Sequence, residues 1–141
     1  FNMSAAEPLF GFGPGNFYFF YKSYTVTSFT TYVSDNPERS GIHNYYLMTL
    51  VEQGIPGLLL FLILIFYALV RGEAIYANAR TKRDKQIAMM AMLCIIIISV
   101  MQLINDLIET DKVGPFFFMS LAILVNLDLK HRRRLQEEQG I

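Results

Sequence analysis

The chain alternates between long uncharged runs and short charged ones. From Tyr45 to Val70 the only charge is Glu52, from Gln86 to Asn105 there is none, and from Val113 to Leu127 there is none again. A membrane-spanning helix needs about 20 mainly apolar residues. The first two runs reach that length. The third reaches it only with Asp128 and Leu129 at the interface, where Asp128 is placed to pair with Lys130 or Arg132. The pattern predicts an all-α, polytopic membrane domain with about three transmembrane helices, near residues 55–71, 86–106 and 113–129. An extracytoplasmic loop and helix segment over residues 1–54 precedes them.

Local signals divide that first segment. Pro8 to Phe17 is a glycine-rich turn in which Gly11, Gly13 and Gly15 allow positive φ and Pro14 fixes a bend. Such a loop either aims successive N–H groups at an anion or is simply a tight turn. It is not a phosphate-binding Walker loop, because no Gly-Lys-Ser/Thr follows. The stretch Phe17 to Tyr32 is dense in aromatics, which suits anchoring at a membrane interface or stacking on sugar rings. Asp35 to Gly41 reads as a loop ending at a helix start, with Ser40 as N-cap. On a helix from about Gly41, His43 lies in the first turn, where unpaired N–H donors and the helix dipole favour an anionic ligand. Packing at the interface is the simpler role for the same histidine. Gln53 to Gly57 reads as a stop and a restart, with Gly54 a C-cap and Pro56 in the first turn of the span.

Charge orients these elements. Arg71, Arg80, Lys82, Arg83 and Lys85 outweigh Glu73 and Asp84 in the first inter-span loop, and Lys130, Arg132, Arg133 and Arg134 crowd the tail. Asp106, Glu109 and Asp111 outweigh Lys112 in the link between the second and third runs. Basic loops stay cytoplasmic, so His43 is expected on the extracytoplasmic side. Asp106 and Glu109, spaced i, i+3, share a face if the second span continues that far. Two or three carboxylates fall short of the six or more oxygens a hard cation takes, so no metal site is expected there.

Composition fits a membrane bundle: 53% of the residues are hydrophobic and 17% charged, with no net charge. Cys94 is the only cysteine, which excludes an internal disulfide and a thiolate metal site. The basic residues lie beside the apolar runs, so no nucleic-acid partner is expected. The chain begins at Phe1, and nothing in residues 1–40 has the basic and apolar regions of a signal peptide. The expectation is the C-terminal part of a larger polytopic protein, with missing N-terminal transmembrane helices as its partners.

Three patterns stand in order: Pro8-Leu-x-Gly-x-Gly-x-Gly-x-Phe17, His43-Asn44-x-x-Leu47, and Glu52-x-Gly54-x-x-Gly57-Leu58 before an apolar span. Together they resemble the C-terminal region of the O-antigen ligase and polymerase superfamily. The resemblance covers about Glu7 to Leu69 by motif and the remaining spans by layout. It implies an inverting glycosyltransferase of the bacterial inner membrane, active on the periplasmic face. Such an enzyme moves a glycan from undecaprenyl pyrophosphate to an acceptor hydroxyl on lipid A-core, glycan or protein, with membrane lipid around it and no cofactor or metal. His43 is then the active-site residue, as base or as pyrophosphate binder. Asn44, Glu52, Gly13 and Gly15 are the substrate-binding candidates, joined by Arg39, the only arginine expected on the outer side. The family's other arginines lie largely upstream of this region. The competing class is a non-enzymatic membrane subunit or transporter fragment in which His43 and Asn44 only cap a helix.

Overall fold

A computed structural model of the chain describes residues 7–17, 19, 20, 42–110 and 112–139. Among these residues the regular structure is helical, with no strand. Helix α1 is Tyr45–Asn78, α2 is Lys82–Met101 and α3 is Gly114–Gln139, with a short 3-10 turn at Leu107–Glu109. Two compact units share them. Of the described residues, one holds those up to Leu62 together with Gln102–Asp106, and the other holds Ile63–Met101 and those from Leu107 onward.

In the first unit, α1 is broken at Gly54, which adopts φ 72° and ψ −171°. Such a conformation is open essentially to glycine alone. Pro56 two residues on has no N–H to continue the helical ladder. The expected stop and restart is therefore present, and it reverses the chain sharply. Tyr45 and Phe61 stack edge to face with ring centroids 5.2 Å apart. In a straight helix their backbones would lie roughly 24 Å apart, beyond the reach of two aromatic side chains. The segment before Gly54 thus folds back along the one after it. Phe17 and Val51 are buried there, with Phe12, Ile42 and Met48 packed against them.

The second unit packs α2 against α3, with Gly72 of α1 seated against the Met92 and Leu124 side chains. Thr81 caps α2: its Oγ1 accepts the Asp84 N–H at 3.1 Å. Two helices, Tyr45–Asn78 and Lys82–Met101, are long and apolar enough to cross a membrane. Only 11% and 22% of their most apolar windows are buried, so most of that apolar surface faces outward rather than into a core. The third helix does not meet the same test. Its apolar half ends at Leu127, and it continues as a charged helix to Gln139, ten residues past the expected end at 129.

The second helix also departs from expectation. It stops at Met101 rather than near 106, and residues 102–104 form a turn. Asp106 is consequently outside any helix while Glu109 lies in the 3-10 turn, so the two do not share a helical face. Ion pairing is partly as expected. Asp128 takes Arg132 on one oxygen at 3.0 Å, but Arg71 of α1 takes the other. Lys130 lies two residues from Asp128 and points to the far side of α3. There it reaches Asp84 of α2 at 2.9 Å, with Arg134 at 3.9 Å from the same carboxylate. The hydrogen bond from Lys130, with one from Thr81, holds the Asp84 carboxyl below its ordinary range.

Candidate functional site

The glycine loop seats itself on the break in α1. Around Gly54 three main-chain groups lose their helical partners. Ile55 N–H turns away from Val51, Pro56 offers nothing to Glu52, and Ile55 N–H itself is left over. Residues of the loop satisfy all three. Phe12 N–H donates to the Val51 carbonyl at 3.0 Å, and Gly13 N–H donates to that of Glu52 at 2.8 Å. Ile55 N–H in turn donates to the Pro8 carbonyl at 2.9 Å.

This approach is main chain to main chain, and it leaves no room for a side chain. A Cβ on Gly11, at φ 62°, would lie 2.5 Å from the Glu52 carbonyl carbon and oxygen. One on Gly54 would lie 2.5 Å from the Leu9 carbonyl oxygen. Gly15, at φ 73°, faces open space.

Glu52 is buried, and its Oε1 accepts the Phe17 N–H at 3.4 Å. Asn16 Nδ2 closes the loop on the Phe12 carbonyl at 3.2 Å. The N–H groups of Gly11, Phe12, Gly13 and Phe17 are thus all engaged within the protein. The loop is a tight turn that holds the reversal, and those donors do not form a nest for an anion. Gly13 and Glu52 come together, but as one main-chain assembly.

The His-Asn pair is built differently. The helix starts at Tyr45, not near Gly41, because Asn44 is the cap. Its Oδ1 accepts the Leu47 N–H at 3.0 Å, and its carbonyl accepts the Met48 N–H at 2.9 Å. Asn44 N–H donates to the Ile42 carbonyl at 2.7 Å, making a three-residue turn with His43 at its apex. His43 is therefore exposed just ahead of the cap rather than inside the first helical turn. The turn after α2 pins this apex from the other side. Asn44 Nδ2 donates to the Leu103 carbonyl at 3.0 Å and Tyr45 N–H to the Gln102 carbonyl at 3.0 Å.

Arg39, Ser40 and the aromatic stretch from Tyr21 to Tyr32 lie outside the described residues. Among the described residues of this unit there is no arginine or lysine. Gln102 was not among the expected site residues, since a charge count passes over a neutral amide. Its side chain is fully buried, and neither Oε1 nor Nε2 has a hydrogen-bond partner. An amide buried without partners carries a desolvation cost of about 1–3 kcal/mol. The visible signal was a lone amide closing a run of apolar residues. Comparison with protein families, curated proteins and solved structures finds no match to this chain.

Proposed function

We propose that this chain is the C-terminal part of a bacterial inner-membrane glycosyltransferase of the O-antigen ligase type, with the His43 turn on the periplasmic face. The observation that carries the reading is the seating of the glycine loop on the Gly54 break. Gly11-x-Gly13 and Glu52-x-Gly54, two separate parts of the motif, meet as one assembly in the same unit as the His43 turn. The outward apolar faces of α1 and α2 support a membrane setting, because contiguous apolar surface of that extent is costly in water.

In this reading the acceptor hydroxyl oxygen attacks the anomeric carbon of the glycan. A new C–O bond forms as the bond to pyrophosphate breaks, and the lipid pyrophosphate leaves with the electron pair. The hydroxyl proton passes to the exposed imidazole of His43, which acts as general base. Asn44 positions the imidazole: its side chain is committed to Leu47 and Leu103, so it fixes the apex rather than touching substrate. Glu52 holds the loop. The cation that stabilises the leaving pyrophosphate comes from outside the described residues.

The test is glycan transfer by variants that still insert. His43→Ala lowers the transfer rate by about 10²–10⁴-fold, the usual contribution of a proton-transfer group. Asn44→Ala loosens the turn and costs about 1 kcal/mol of stability, with a smaller loss of rate. Unchanged transfer by well-inserted His43→Ala would remove the catalytic role. It would favour the non-enzymatic reading, in which the turn only caps a helix and docks it on Gln102 and Leu103.

A further inference from the structure

The second unit carries a groove between α1 and α3 of about 370 Å³. Leu64 and Tyr67 line it from α1, and Leu121 and Val125 from α3. Arg71, Asp128 and Arg132 close one end. From Leu64 to Arg71, and from Leu121 to Asp128, the apolar length is roughly 10 Å at 1.5 Å per residue. That lies within one leaflet of a hydrocarbon core about 30 Å thick.

The charged end is not balanced. Two guanidinium groups share the single carboxylate of Asp128. Arg71 gives it one Nη, while its Nε–H is buried without a partner. Arg132 gives it Nε, which leaves its Nη groups uncommitted among the described residues. On the same helix Lys130 and Arg134 share the carboxylate of Asp84, and none of the three lines the groove, so the surplus at its charged end is that of Arg71 and Arg132. An apolar slot that fits within one leaflet, ending in an excess positive charge at headgroup level, has the features of a phospholipid site.

We infer that this groove binds one anionic diacyl phospholipid, with an acyl chain along the apolar length and the phosphate between Arg71 and Arg132. The inference rests on the membrane setting proposed above. Charge selects the occupant. An apolar helix laid into the slot would cover Arg71 and Arg132 without balancing them, which burial penalises. A lipid phosphate supplies the missing negative charge and accepts the remaining N–H donors.

The full chain is reconstituted into phosphatidylcholine nanodiscs containing a minor fraction of phosphatidylglycerol. Native mass spectrometry then counts the phosphatidylglycerol retained. Wild type keeps one molecule. Arg132→Gln preserves the Arg71–Asp128 pair, and so the fold, and weakens retention roughly fivefold, equivalent to about 1 kcal/mol. Arg132→Lys restores most of it. Arg133→Gln removes the same charge one residue away but outside the groove, and leaves retention unchanged. Asp128→Asn frees both guanidinium groups and strengthens it. Equal weakening by Arg133→Gln would mean diffuse surface attraction and would overturn the site, as would undiminished retention by Arg132→Gln. A chain that enters the nanodiscs yet keeps no phosphatidylglycerol overturns this inference alone. One that never enters them overturns the membrane reading as well.

Discussion

Gly11, Gly15 and Gly54 have similar positive φ but face different surroundings. At Gly15 an alanine meets open space and pays only for the left-handed backbone, about 1–2 kcal/mol. At Gly11 or Gly54 the new methyl also meets main-chain atoms at 2.5 Å, which cannot rotate away. Gly11→Ala and Gly54→Ala are therefore expected to cost more than about 3 kcal/mol and to separate the loop from α1. Thermal unfolding in detergent, compared with Gly15→Ala, checks this; equal stability of the three variants would mean the loop is not seated as described. The glycines and their order were legible in the sequence. Their partnership was not, because main-chain pairing between distant segments leaves no periodic side-chain pattern. The start of α1 falls at Tyr45 rather than near Gly41 for a local reason: by residue type Asn44 is as good a cap as Ser40, and its bond to Leu47 fixes the first turn.

Among the elements, α2 carries the clearest pH signature. Thr81 and Asp84 form a capping pair at its start, and Lys130 of α3 holds the carboxylate from across the unit. The folded pKa of Asp84 lies below its unfolded value, so the unfolded state binds more protons. The contribution is fully present above about pH 4 and is lost as pH falls through the lowered folded pKa. Asp84→Asn is expected to unfold at a lower temperature than wild type at pH 7. The gap between the two should narrow toward pH 3, as followed by helical circular dichroism in detergent. A constant gap would mean that Lys130 does not act through the Asp84 charge. Helix positions were legible from uncharged runs, but helix ends were not. The end of α2 is set by where Gln102 and Leu103 must turn to meet Tyr45 and Asn44, and no capping residue announces it.

For the whole molecule, the all-helical class and the two long apolar helices followed from charge spacing alone. The reversal at Gly54 and the division into two units did not, since both depend on contacts between segments far apart in sequence. Orientation is open to direct measurement. If basic loops stay cytoplasmic, Asn78 is expected on the cytoplasmic side and Lys112 on the other. With Cys94 replaced by serine, an impermeant thiol reagent added from outside is expected to label cysteine at 112 and spare cysteine at 78. The reverse pattern would put the His43 turn in the cytoplasm and end the proposed role in periplasmic transfer.

The seating of the loop on α1 has a consequence for inheritance. Three of its four cross-segment hydrogen bonds use only the peptide backbone and the fourth needs only the Glu52 carboxylate, so it constrains spelling at very few places. Leu9 and Phe10 are exposed, and such letters can drift while the fold is retained. Kinship to this chain is therefore best sought through a spaced pattern: a glycine-rich bend, a distant glycine that breaks a helix, and a proline two residues later. Descendants keeping that pattern could share the architecture after overall residue identity has faded.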